Sequence, residues 1–112
     1  SLIRQNLNQE EVKIKCYELN DILIFNKIEK VDYINIDTEG TELDVLKGLS
    51  FQKIKPSLLT IEDNDFDLDS DSKKEKIAYM KNQGYVLINN IGVTMFFFKK
   101  EDIKRISNLI KI

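Results

Sequence analysis

The chain has 112 residues, a net charge of -2, 42% hydrophobic residues and 32% charged residues. That composition bounds it to one small globular domain and excludes a disordered chain. The near balance of 17 Lys plus Arg against 19 Asp plus Glu speaks against a nucleic-acid binder, and no apolar run has the length of a membrane span.

The first residues, Ser1-Leu2-Ile3-Arg4-Gln5, do not have the layout of a secretory leader, and residues 1–11 read as a flexible polar arm. Val12-Lys13-Ile14-Lys15-Cys16 alternates apolar and charged residues, which predicts a half-exposed strand. Asn20 reads as an N-cap for a helix whose apolar face is Ile22, Leu23, Phe25 and Ile28, with Leu19 as a staple. Val31 to Asp37 is the next strand, apolar on both faces, and a short helix with Leu43, Val45 and Leu46 follows and ends near Gly48. Pro56 closes a loop before an apolar strand from Ser57 to Glu62. After an Asp-rich loop, Ser72-Lys73-Lys74-Glu75 predicts a capping box, and Gly84 predicts the stop of that helix. Tyr85 to Ile88 and Thr94 to Phe98 predict an antiparallel hairpin, and Ile103, Ile106 and Ile110 a last amphipathic helix. Alternation of this kind indicates an α/β sheet, mostly parallel, with helices on both faces and a C-terminal antiparallel hairpin.

Two successive parallel strands here finish in acid: Asp37 and Glu39 after the first, Glu62 and Asp63 after the second. Open α/β sheets place their ligands at that rim. Carboxylates crowded together raise a pKa or recruit a cation, so Asp37, Glu39 and Glu62 are candidates for a base or for a divalent metal platform. Against this stands a structural reading. Glu39 and Glu42 would favour a helix N-terminus, and Asp37 would bond amides in the turn. With no histidine in the chain, acid–base chemistry near neutrality falls to carboxylates, Lys, Tyr, the thiol or a metal-bound water.

Other features carry less. The Asp ladder from Asp63 to Asp71 lacks the sixth-position glycine and twelfth-position glutamate of a calcium loop in every register. Phe96-Phe97-Phe98 reads as core, and Cys16, the one cysteine, reads as a bystander that suits a reducing, cytoplasmic compartment.

The segment Val31-Asp32-Tyr33-Ile34-Asn35-Ile36-Asp37-Thr38-Glu39-Gly40-Thr41-Glu42-Leu43-Asp44-Val45-Leu46-Lys47-Gly48 resembles the central motif of the FkbM-type methyltransferase family. Leu19-Asn20-Asp21, Pro56 to Glu62 and Gly84-Tyr85 fit the flanks of that family's pattern, while Asn35 stands where its members usually carry Lys. The resemblance implies a Rossmann-like class I methyltransferase sheet that uses S-adenosylmethionine to methylate a hydroxyl of a sugar or small natural product. On that reading strands 31–37 and 57–62 are the fourth and fifth, and the seventh inserts antiparallel between fifth and sixth. It further implies Asp37, Glu39 and Glu62 as catalytic groups and Asp37 with Thr38 beside the cofactor. The family's glycine-rich cofactor loop has no counterpart here, since no Gly-x-Gly occurs. The 112 residues therefore read as one domain that is the C-terminal half of a methyltransferase, with an open sheet edge available for a homodimer.

Two rival readings remain at this point. One is a non-catalytic remnant or assembly module. The other takes Ile36-Asp37-Thr38-Glu39-Gly40-Thr41 as an echo of the magnesium-dependent haloacid-dehalogenase-like phosphatase loop, with Glu39 in place of its second Asp.

Overall fold

The computed structural model describes residues 10–109. Four strands, β1 (Tyr33–Ile36), β2 (Leu58–Glu62), β3 (Tyr85–Ile91) and β4 (Thr94–Lys99), form one sheet in the order β1-β2-β4-β3. The helices are α1 (Leu19–Phe25), α2 (Glu42–Lys47), α3 (Asp71–Asn82) and α4 (Lys100–Leu109). β1 and β2 run parallel, with Ile36 opposite Ile61, whereas β4 is antiparallel to both β2 and β3. The last strand thus inserts between its two predecessors, as the resemblance implied. The sheet is mixed, not mostly parallel, because only the connection through α2 makes a parallel crossover.

The two faces of the sheet differ. Alternation along the strands, fixed by the pairings, puts Ile34, Ile36, Leu59, Ile61, Tyr85, Leu87, Met95 and Phe97 on one face. All of these belong to the single core cluster. The same cluster takes Leu19 and Leu23 from α1, Leu43, Val45 and Leu46 from α2, and Ile77, Tyr79 and Met80 from α3. Three helices therefore cover one face. Leu46, Leu59, Ile61, Met80 and Met95 are fully buried there, and truncating any one to Ala costs about 2–5 kcal/mol. Tyr85 seals one end of this layer. Its ring meets Phe51 edge-on at 5.4 Å, and its hydroxyl donates to the Pro56 carbonyl.

The other face carries Tyr33, Asn35, Leu58, Thr60, Glu62, Thr94, Phe96 and Phe98. No member of it joins the core cluster. Among the described residues α4 is the helix that reaches it, where Asp102 and Arg105 line a shallow depression with Ser57, Leu58 and Phe98. The expected helices on both faces are thus distributed three to one.

Several expected elements change. Residues 10–18 have no regular structure and are exposed, Val12 by 74% and Ile14 by 78%. Their alternation marks no strand because nothing among the described residues pairs with them; residues 1–9 of the expected arm lie outside the described residues. Asn20 sits inside α1 rather than capping it, with its Oδ1 buried and unpartnered, and Glu18 holds the N-cap position. That helix stops at Phe25 because Lys27 turns left-handed (φ 56°) and the Ile28 N–H returns to the Leu23 carbonyl. Of the expected apolar face only Leu23 is buried. α3 begins two residues earlier than the expected box: the Ser70 side chain accepts from the Lys73 N–H at 3.2 Å. Gly84 (φ +88°) does follow α3 in the left-handed conformation. In the hairpin the strands run closer to the turn than expected, leaving Gly92 and Val93 between them, and a bulge falls between Leu87 and Asn89.

Among the described residues β1 has a single neighbour, β2, so one edge is unpaired. The opposite edge strand, β3, is blunted by its bulge. Beside the open edge Tyr33 is 51% exposed. The chain is expected to self-associate through this edge, and Tyr33→Lys to shift it toward monomer in light scattering over a concentration series. A wild-type chain that stays monomeric at every concentration contradicts this.

Candidate functional site

Because Ile36 pairs with Ile61 in parallel register, the next residues, Asp37 and Glu62, leave the sheet side by side. The acids expected at a shared rim are there, but they divide into two kinds.

Glu42 and Asp63 are consumed by the fold. Glu42, on the first turn of α2, is 2% exposed. Its carboxylate accepts from the Thr38 N–H at 2.6 Å, the Thr38 hydroxyl at 2.9 Å and the Gly40 N–H at 3.1 Å. Burial opposes its ionisation, but the Gly40 and Thr38 donors outweigh burial and hold the carboxyl below the usual range. This bonding shapes the turn, in which Glu39 (φ 56°) and Gly40 (φ +114°) are both left-handed. Asp63, 5% exposed, accepts from the Ser72 hydroxyl and the Asp65 N–H, and forms a 2.6 Å ion pair with Lys76. Burial works against its charge too, and the Lys76 and Ser72 bonds reverse that and lower its pKa.

Lys76, on α3, is the residue that sequence reasoning missed. Its ammonium lies 2.6 Å from Asp63 and 3.8 Å from Glu42, all three side chains being nearly buried. The signal was available: Lys73, Lys76 and Met80 recur at helical spacing, and all three are buried. A lysine on that stripe needs a hydrogen-bond acceptor in the interior. Lys73, fully buried beside it, instead donates to Asn90 Oδ1 and the Gly92 carbonyl, each at 3.1 Å, and so pins the β3–β4 turn.

Asp37, Glu39 and Glu62 remain available to solvent. Asp37 is exposed. Its carboxyl is pushed above its usual value by desolvation at the strand end, then by the charges of Glu39, Glu62 and Glu42. Glu62 is half-buried and accepts from the Thr94 hydroxyl at 2.7 and 2.9 Å. Glu39 accepts from the Asn64 amide at 3.2 Å. Thr38, expected beside a cofactor, spends both its N–H and its hydroxyl on Glu42. Among the described residues no group of three or more Asp, Glu or Cys side chains is arranged so that it could hold a metal ion. Two surface depressions lie elsewhere. One of about 640 Å³ runs between the segment Cys16–Leu19 and α2, and Tyr17 lines both it and a second beside α1. Among the described residues no helix is long and apolar enough to cross a membrane.

Residues 3–87 match the profile of the methyltransferase FkbM domain, well over half of the chain. No curated protein and no solved structure matches it.

Removing the cation strands buried Asp63 and takes a neighbouring positive charge from Glu42, so Lys76→Met is expected to cost about 3–5 kcal/mol near neutral pH. The pH dependence gives a second readout. Depressed carboxyls contribute stability above their ordinary values, 4.5 for Glu42 and 3.8 for Asp63. They lose it as pH falls through the lowered values. In Lys76→Met the stranded Asp63 protonates more readily, so the deficit against wild type should shrink on acidification from neutrality in urea melts. A deficit independent of pH refutes the clamp.

Proposed function

This chain belongs to the FkbM methyltransferase domain family, and from that premise we propose that it is the acceptor-side portion of an S-adenosylmethionine-dependent O-methyltransferase acting on a hydroxyl of a sugar or small natural product. Family members use S-adenosylmethionine in general, and the transferred methyl comes from its sulfonium. The residues present do not by themselves make a cradle for that cofactor. No Gly-x-Gly loop occurs in the sequence, and the donors of Thr38 are already spent. What the chain offers is proton handling and orientation of an acceptor.

The observation that carries this reading is Asp37: an exposed carboxylate with a raised pKa, at the end of a parallel strand and beside Glu62. A hydroxyl attacking a methyl group must lose its proton, and a carboxylate whose negative charge is disfavoured is the better acceptor for it. Glu62, with one of its oxygens occupied by the single Thr94 hydroxyl proton at any moment, has the other free to hold the acceptor. Glu39, tied to Asn64, adds charge that sustains the Asp37 shift. Holding the acceptor oxygen in line supplies much of the remaining rate.

Asp37→Asn in the intact protein is expected to lower turnover by about 10²–10⁴-fold while changing stability by no more than ~0.5 kcal/mol. The acid limb of kcat/KM should lie above pH 3.8, the ordinary Asp value, because the base must be ionised, and it should vanish in the variant. Near-normal turnover removes Asp37 from the mechanism. Calorimetric titration of S-adenosylmethionine into the 112-residue chain is expected to show no micromolar binding. Micromolar binding means that these residues hold the cofactor unaided.

A further inference from the structure

One polar chain crosses the open face of the sheet and ends at the candidate site. The Tyr33 hydroxyl lies 2.6 Å from Thr60 Oγ1, and Thr60 Oγ1 donates to Asn35 Oδ1 at 2.7 Å. A threonine hydroxyl has one proton. Since it goes to Asn35, the Tyr33 hydroxyl must donate to Thr60, and the direction of the whole relay is set. Thr60 is 5% exposed, so this bond is sheltered from competing water. Its consequence is the orientation of the Asn35 carboxamide: the oxygen is committed, and the Nδ2 hydrogens have no partner among the described residues. Asn35 is itself exposed. Glu62 follows Thr60 by two on β2 and so shares its face, and Asp37 follows directly on the end of β1, so the fixed amide donor stands just before two carboxylate acceptors at the strand ends.

We propose that Asn35 is a specificity-determining residue that reads a vicinal diol of a carbohydrate acceptor. Its Nδ2 donates to one hydroxyl oxygen while Asp37 and Glu62 accept from the neighbouring hydroxyl. Isolated carboxylates can only accept, and a diol presents both functions on adjacent carbons. An amide donor with a locked orientation beside acceptors is the complement of that pair, and a site built to bond a hydroxyl rejects an analogue that lacks it. The proposal rests on the methyl-acceptor reading for its place in the reaction, but not for the binding event.

The test is nitrogen–proton NMR on the intact protein, with the Asn35 side-chain amide pair identified by its loss in Asn35→Asp. That variant keeps an oxygen for Thr60 and removes the donor. Titration with methyl mannoside, which carries a vicinal cis-diol, is expected to move the Asn35 pair. The deoxy glycoside lacking one of those hydroxyls should bind about tenfold more weakly, as should the mannoside to Asn35→Asp. Thr60→Val, which removes the relay at nearly constant volume, should weaken the mannoside as well. An amide pair that does not move, or equal affinity for the two glycosides, overturns the proposal. Methyl transfer unchanged in Asp37→Asn, with the Asn35 amide pair still moved by the mannoside, strikes the catalytic reading and leaves the diol site standing on Asn35 and Glu62. Methyl transfer that is lost in Asp37→Asn yet indifferent to Asn35→Asp does the reverse.

Discussion

The buried cation of Lys76 holds the acidic rim together. It joins α3 to the exits of two parallel strands through Asp63 and Glu42. Without it Asp63 would stand in the interior with no positive charge beside it, at a cost of several kcal/mol, and Glu42 would rest on the turn's donors alone. With it, Glu42 is free to gather the Thr38 and Gly40 donors and so to shape the turn that carries Glu39. The clamp thus separates structural acids from exposed ones. Because Glu42 and Asp63 sit on the core side, the charges that reach solvent are those of Asp37, Glu39 and Glu62.

The sheet makes the same separation on a larger scale. One face is spent on a dry layer shared with three helices. The other keeps hydroxyls, an amide and carboxylates within reach of one another, bordered by Leu58, Phe96 and Phe98. A parallel pair buried on both sides would be apolar throughout. Thr60, opposite Asn35 and Phe96, shows that this one is not.

The parallel pair, the hairpin, a helix that ends before Gly84 and the meeting of Asp37 with Glu62 were legible from periodicity, turn residues and the acids that end two strands, whereas the insertion of the last strand between its predecessors came from the family resemblance. The failures share a cause: each depended on a partner that a linear pattern does not name. Val12 to Cys16 alternates like a strand but has nothing to pair with among the described residues, and Asn20 has capping chemistry but falls two residues past the N-cap position, inside its helix. The acid cluster was visible; its division was not, because the deciding residue, Lys76, lies 34 positions beyond Glu42 and looks like an ordinary surface lysine until its helical stripe is followed. Thr38 was legible as a polar residue at the rim, yet its donors turn inward to Glu42.

Glu39 occupies a left-handed backbone at φ 56° without a glycine's freedom. An L residue with a long side chain stands there at a penalty of about 1–2 kcal/mol, held by a turn that Glu42 bonds on either side. Glycine at 39 would relax the main chain and erase one of the two neighbours that most disfavour charge on Asp37. Folding ease and proton affinity are therefore opposed at this one position, and a tighter, more stable loop would come with a weaker base.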